Sequence, residues 1–134
     1  LVTCHYLYFV IEYRRYITER EMISLDAMVL EYFLDCGLPR NCKGYTDTVE
    51  LAGKFLHTDK GTLSGQMMQE VAEKHGVSTK VVSSSIRRFA LSIRKYNLRL
   101  YEDLVGERFD SYWFVWSVAK EAFEHYRKRH TLLG

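Results

Sequence analysis

The sequence predicts an all-α fold, a compact domain of about five or six helices. Only one proline and eight glycines occur among 134 residues, so long stretches can continue as uninterrupted helix. From residue 24 onward, apolar residues recur at the three- and four-residue spacing of amphipathic helices. A hydrophobic content of 47% is enough for one packed core. We therefore expect one helical domain over residues 24–134, preceded by an N-terminal extension of residues 1–23.

The first helix of the domain is predicted between a capping serine and a glycine stop. Ser24 is a preferred N-cap residue, Gly37 suits a helix C-terminus, and Pro39 cannot continue the helix. The helix is therefore expected over Leu25–Cys36, followed by a polar connection at residues 40–44.

A second helix is predicted from Thr46 or Asp47 to about His57. Three of its apolar residues share one face: Val49, Ala52 and Leu56. The Asp-Lys-Gly sequence of residues 59–61 is typical of a turn, so we expect the helix to end before it.

Two further helices are predicted on either side of a short turn. The first starts at Thr62 or Ser64 and continues to Gly76, which ends it. Ser78 then caps a helix over Thr79–Tyr96. Because two helices joined by a glycine-containing turn of three or four residues form a helix-turn-helix, this motif is expected at about residues 62–96.

The C-terminal part of the chain is predicted as a junction and one amphipathic helix. The junction covers residues 98–107 and is expected to be partly helical. The helix starts at Asp110 or Ser111. Its apolar residues are expected to form core or dimer contacts: Phe114, Val118 and Phe123, with Trp113 or Trp116.

The predicted helix at residues 79–96 has one apolar and one cationic side. At about 100° per residue, four apolar residues form a narrow stripe: Val82, Ile86, Phe89 and Ile93. We expect Ile86 and Phe89 to face Val71 and Met68 of the preceding helix. The opposite side carries Lys80, Ser84, Arg87, Leu91 and Lys95, with Arg88 and Arg94 beside it.

Charge is distributed unevenly along a chain whose formal net charge is only +2. Six of the 19 basic residues lie at residues 76–101, and none of the 17 acidic residues does. Such a segment attracts phosphate, and arginine can also bond a guanine edge through two hydrogen bonds. Alternatively, a basic run is an ordinary solvated helix face. Together with the helix-turn-helix, the basic segment at residues 76–101 predicts double-stranded DNA as the partner. The expected DNA-binding residues are Ser64, Lys80, Ser83, Ser84, Arg87, Arg88, Arg94 and Lys95.

Several short sequences resemble the C-terminal DNA-binding effector domain of the sporulation stage 0 response regulator family. They are Gly37-Leu38-Pro39, Lys43-Gly44-Tyr45, Gly61-Thr62-Leu63-Ser64, Val71-Ala72, Val82, Ile86-Arg87, and Asp110-Ser111 with Phe114. The resemblance covers about residues 24–123. It implies an all-α fold, a recognition helix in the major groove, binding to promoter DNA, often as tandem copies, and regulation of transcription in a spore-forming bacterium or a relative.

The chain departs from this family at the residues expected to contact DNA. Ser64-Gly65 replaces a Thr-Lys pair, and Val81, Ser83 and Ser84 replace arginine, glutamate and arginine. Arg87 matches, whereas Arg88 replaces a histidine. The resemblance therefore implies a divergent member that recognises a different sequence. The alternative is a protein-interaction domain on the same scaffold that has lost sequence-specific DNA binding.

No catalytic or metal-binding pattern stands out. Neither a nucleophile–base pair nor a glycine-rich phosphate loop is present, so we expect no enzymatic activity, small-molecule substrate or cofactor. A metal site of Cys36, Cys42 and His57 lacks CxxC spacing and a fourth ligand, so none is predicted. These cysteines and Cys4 are best explained as free thiols in a reducing cytoplasm.

The N-terminal segment is less regular. Residues 7–11 form an apolar run that is too short to span a membrane, and Arg14 and Arg15 follow it. We expect residues 1–16 to form a helix or strand packed on the core or on a second subunit. This run and the last helix, through Trp113, Phe114 and Trp116, are candidates for a homodimer surface; the alternative is that both fold back on the core.

Overall fold

Seven helical elements make up the part of the chain that the structure, a computed structural model, describes: residues 11–15, 25–38, 43–56 and 65–133. They are α1 (residues 11–15), α2 (Leu25–Asp35), α3 (Lys43–Leu56), α4 (Gly65–Lys74), α5 (Thr79–Tyr96), α6 (Leu98–Val105) and α7 (Ser111–Leu133). These ranges contain no β-strand, which confirms the predicted all-α class. None of their helices combines the length and apolar character that crossing a membrane requires.

The structure agrees closely with the sequence prediction at the end of α2, at both ends of α5 and at the start of α7. α2 ends at Asp35, just before Gly37, and α5 has the predicted bounds Thr79–Tyr96. α7 begins at Ser111, and Oδ1 of Asp110 accepts hydrogen bonds from the backbone N–H groups of residues 112 and 113. The Ser24 cap, the connection at residues 40–42 and the turn at residues 59–61 lie outside the described residues.

Helix α5 packs against four other helices, α3, α4, α6 and α7, while α2 packs against α7 and α3. The predicted apolar stripe of α5 is confirmed, since all four of its side chains are buried. Phe89 lies within a cluster of aromatic rings. Its ring contacts those of Phe33, Tyr45 and Phe114, at centroid distances of 5.4, 6.1 and 6.1 Å. The core therefore joins α2, α3, α5 and α7 around one phenylalanine.

Helix α3 begins at Lys43, so the prediction of a start at Thr46 or Asp47 was wrong. Asp47 is a fully buried residue inside the helix, not its cap. The earlier start depends on packing: a Cβ at Gly44 would overlap the Ser85 carbonyl oxygen and come within 2.5 Å of Cβ of Phe89. A glycine here lets the first turn of α3 lie directly on α5.

The predicted junction after α5 is a complete helix, α6, separated from α5 by Asn97 alone. Asn97 serves both helices. Its N–H donates to the carbonyl of Ile93 in α5 at 2.7 Å, and its Oδ1 accepts from the N–H of Leu100 in α6 at 3.1 Å. One residue therefore ends one helix and caps the next.

The N-terminal element α1 packs on α7 of the same chain. The ring of Tyr13 is buried 5.6 Å from that of Phe123, and Arg127 of α7 donates to Glu12 at 3.4 Å. Two of the aromatic residues proposed for a dimer surface, Phe114 and Trp116, are also buried within the chain. That part of the dimer interpretation was wrong, and only Trp113, 37% exposed, remains on the surface. Residues 7–10 lie outside the described ranges.

Candidate nucleic-acid interface

A four-residue turn, residues 75–78, connects α4 to α5. Gly76 adopts a φ of +66°, a conformation that favours glycine. The N–H of Gly76 donates to the carbonyl of Glu73, and the N–H of Val77 donates to that of Ala72. This is the Schellman arrangement, which ends a helix sharply. The hydroxyl of Ser78 then accepts a hydrogen bond of 3.3 Å from the backbone N–H of Val81. The turn therefore has the glycine stop and serine cap that the sequence predicted.

The two helices are held together by their apolar faces. Met68, Val71 and Ala72 of α4 and the apolar stripe of α5 are all buried, and Val77 in the turn packs against the same core. Ion pairs connect α4 to α3 on the outside: Lys54 to Glu70 at 2.9 Å and Lys74 to Glu50 at 3.4 Å. The position of α5 relative to α4 is thus fixed from the inside, and its outer face stays exposed.

The outer face of α5 and the start of α6 form a cationic strip, which we define as Lys80, Arg87, Arg88, Arg94, Lys95 and Arg99. All six side chains are exposed. Within the described part of the chain, no carboxylate forms an ion pair with any of them. From Lys80 to Lys95 the strip extends about 22 Å along α5. Its charge is therefore available to an anionic partner.

One member of the strip has an internal partner. The guanidinium carbon of Arg94 lies 5.8 Å from the ring centroid of Tyr101 in α6, within the range of a cation–π contact. The sequence did not reveal this contact, because α6 was not predicted as a full helix. Since a ring face leaves the N–H groups at the guanidinium edge free to donate, Arg94 remains able to bind an anion.

Most of the expected DNA-binding residues lie together on this surface. Ser84 is exposed beside Lys80, Arg87 and Arg88 in a shallow depression of the surface. Ser83 is different: it is half-buried, and its hydroxyl shares a 3.0 Å hydrogen bond with that of Ser111 at the start of α7. Its place is therefore at the α5–α7 contact, apart from the exposed face. Ser64 lies outside the described residues.

Two apolar side chains that were not among the expected DNA-binding residues also lie on this surface. Val81 in the first turn of α5 is 39% exposed, and Leu91, two turns beyond Ser84, is 45% exposed. Both border the same depression as Lys80 and Ser84. Helical periodicity explains their exposure. Val81 lies at one edge of the polar side of α5 and Leu91 lies near its centre, so both are outside the buried stripe.

The histidines of the described residues are engaged in contacts between helices. Nε2 of His75 lies 2.9 Å from Glu50, Nε2 of His125 lies 2.7 Å from Asp35, and His130 lies 3.2 Å from Glu31. Hydrogen bonds from His125 and Arg129 lower the pKa of the Asp35 carboxyl. His75 therefore connects the turn to α3, whereas His125 and His130 connect α7 to α2.

Within the described ranges, no group of three or more metal-ligating residues is close enough to hold a metal ion. Of the three residues considered for a metal site, Cys36 is half-buried, and burial raises the pKa of its thiol. Cys42 and His57 lie outside the described residues. The exposed face of α5 is therefore the candidate functional surface.

Searches of protein-family models, of curated proteins and of solved structures each found no match to this chain.

Proposed function

We propose that this chain is a DNA-binding regulator of transcription that places α5 in the major groove of double-stranded DNA. α4 and the turn at residues 75–78 would act with α5 as a helix-turn-helix. The proposal extends the resemblance to the effector domain of the sporulation stage 0 response regulator family. We expect no enzymatic activity from the chain.

The observation that carries the proposal is the cationic strip. Six exposed basic residues follow one another along α5 and the start of α6, and no ion pair within the described residues neutralises them. Phosphates lie along both edges of the major groove, which is about 12 Å wide and admits one helix. A helix about 27 Å long with cations on its outer face fits this groove, and its charge would release counterions from the DNA.

Two parts of the strip would have different tasks. The N-terminal half of a recognition helix usually contacts base edges, and its C-terminal half usually approaches phosphates. Arg87, with Ser84 one turn earlier, belongs to the first part, and Lys95 with Arg99 belongs to the second. Since Ser83 is engaged with Ser111, we leave it out of the base-contacting surface.

Titration of duplex DNA at several salt concentrations tests the proposal. Wild-type protein should bind random duplex in about 50 mM salt, and log K should fall linearly with log salt, by about 0.9 for each phosphate contact. Lys95→Ala should weaken binding to all duplexes alike and reduce the slope by about one. Lys128→Ala is the matched control, because Lys128 is an exposed lysine of α7 that does not belong to the cationic strip. Absence of DNA binding at about 50 mM salt contradicts the proposal.

A protein partner is the second candidate, and exposed apolar residues near the strip favour it. Leu91 is 45% exposed, and Tyr96 and Leu98 at the α5–α6 elbow are 60% and 52% exposed. A partner that buried them would gain hydrophobic free energy that phosphate cannot supply. If DNA affinity is absent, this candidate replaces the first.

A further inference from the structure

Val81 is an exposed apolar residue at the part of α5 that would approach bases. The other apolar residues of this helix as far as Ala90 are buried: Val82, Ile86, Phe89 and Ala90. Val81 is fixed in place, because its backbone N–H is bonded to the hydroxyl of Ser78 in the helix cap. Because a β-branched side chain in a helix strongly prefers one χ1 rotamer, the two methyl groups of Val81 also have a defined position on the surface.

The neighbours of Val81 are polar and well suited to DNA. Lys80 precedes it, Ser84 lies one turn later and Arg88 lies two turns later. All four side chains border the same depression. The two cations can bind phosphates, and the short serine side chain leaves room for a base edge to approach the valine.

The chemistry of the groove suggests what the valine contacts. Among the groups that the four bases present in the major groove, the apolar one is the 5-methyl group of thymine; 5-methylcytosine presents the same group. We propose that Val81 binds the 5-methyl group of a pyrimidine, thymine in unmodified DNA, and so determines the base preferred at one position. The inference rests on the proposed DNA binding.

The test begins with a duplex chosen by selection from a random library with the 134-residue chain. Each thymine of the selected site is replaced in turn by uracil, which removes the methyl group and keeps the base pair. Wild-type protein should lose about four-fold in affinity at one thymine, which corresponds to about 0.8 kcal/mol for one buried methyl group. Val81→Ser, which removes both methyl groups of the side chain, should bind the thymine and uracil duplexes equally.

Leu98→Ala is the control variant, because it removes an exposed apolar side chain from α6. It should keep the wild-type preference for thymine over uracil. A second comparison, 5-methylcytosine against cytosine at the same position, identifies the source of the methyl group. A preference for 5-methylcytosine shows that the methyl group alone suffices, whereas equal binding shows that thymine is required; both support the proposal if uracil weakens binding.

Three outcomes overturn the inference. If a selected site binds tightly and uracil has no effect at any position, the inference fails while DNA binding stands. If Val81→Ser keeps the full sensitivity to uracil, another residue contacts the methyl group. If no duplex binds, both the inference and the proposed function fail.

Discussion

The hydroxyl of Ser85 donates a hydrogen bond of 2.9 Å to Oδ2 of Asp47, and both side chains are buried where α5 packs on α3. The other carboxylate oxygen, Oδ1, accepts no hydrogen bond from the described residues and lies 3.8 Å from Nε2 of His75. A buried carboxylate is costly unless its oxygens are bonded. Ser85 is therefore a principal partner of this charge, and their contact ties α5 to the helix behind it.

Removing the Ser85 hydroxyl should destabilise the fold. Ser85→Ala leaves the Asp47 carboxylate without its 2.9 Å hydrogen bond, at an expected cost of about 1–3 kcal/mol in the free energy of unfolding. Ser92→Ala is the control on the same helix. Among the described residues, the hydroxyl of Ser92 bonds only to the carbonyl of Phe89 one turn earlier, so its loss should cost less. Urea denaturation measures both values. If both variants lose the same free energy of unfolding, the hydrogen bond between Ser85 and Asp47 has no special importance for stability.

Alanine at two glycines of α3 should have opposite effects. Gly44→Ala places a methyl group against Ser85 and Phe89, so we expect a loss of about 1–3 kcal/mol through overpacking. At Gly53 no atom of the described residues lies within 4 Å of the added methyl group, so higher helix propensity should stabilise the protein by about 0.5–1 kcal/mol. Thermal and denaturant unfolding compare the two, and a neutral Gly44→Ala would show that α3 and α5 lie farther apart.

Phe89 should be among the most sensitive core positions. Phe89→Ala would leave a cavity among three aromatic rings, so we expect a loss of about 3–5 kcal/mol in the free energy of unfolding. Leu91→Ala, two residues away on the exposed side, should change stability by less than about 0.5 kcal/mol. If the exposed substitution costs more than the buried one, the orientation of α5 is different from that described.

The contact between α2 and α7 should make stability depend on pH. A carboxyl group whose pKa is lower in the folded protein stabilises the fold above its unfolded pKa of about 3.9, and the effect is lost as the pH falls through the folded value. Asp35 is such a group, because His125 and Arg129 donate hydrogen bonds to it. Asp35→Asn should therefore lower the unfolding temperature at pH 7, and its difference from wild type should shrink as the pH falls toward about pH 2.

The control for this pH dependence is Asp103→Asn. Asp103 is an exposed aspartate of α6 with no ion pair among the described residues. Its substitution should leave the unfolding temperature unchanged at both pH values. A constant difference between Asp35→Asn and wild type from pH 7 to pH 2 would exclude the carboxylate as the cause.

Arg87 should affect sequence preference, in contrast to Lys95. If its guanidinium bonds a base edge, Arg87→Ala should cost about 1–3 kcal/mol on a selected site and relax the preference at one base pair. Its effect on random duplex should be smaller. Titrations on both duplexes measure this difference. Equal losses on both would assign Arg87 to a phosphate contact instead.

Sequence signals were sufficient for the elements whose boundaries are encoded locally. Gly76, Ser78 and the apolar spacing of three and four residues agree on the bounds of α5. Each is confirmed by a hydrogen bond, a positive φ or burial. The end of α2 before Gly37 was equally predictable. In these places the local preference and the tertiary fold coincide.

Features that depend on distant residues were missed. The start of α3 is set by close packing of Gly44 on α5, and the environment of Ser83 is set by Ser111, 28 residues later. α6 was predicted only as a partly helical junction, because a single asparagine separates it from α5, without the glycine or proline that usually marks a boundary. Helical periodicity within one segment contains no information about such contacts.

The shared cap at Asn97 has a consequence for any extended anion bound along α5 and α6. Because no linker separates the two helices, Arg99 on one side of the bend keeps a set spacing from Lys95 on the other. The conformational entropy of arranging these charges has thus been lost during folding, before a partner arrives. A glycine at position 97 would leave every charge in place and still make association less favourable, because the bend would then have to be ordered during binding itself.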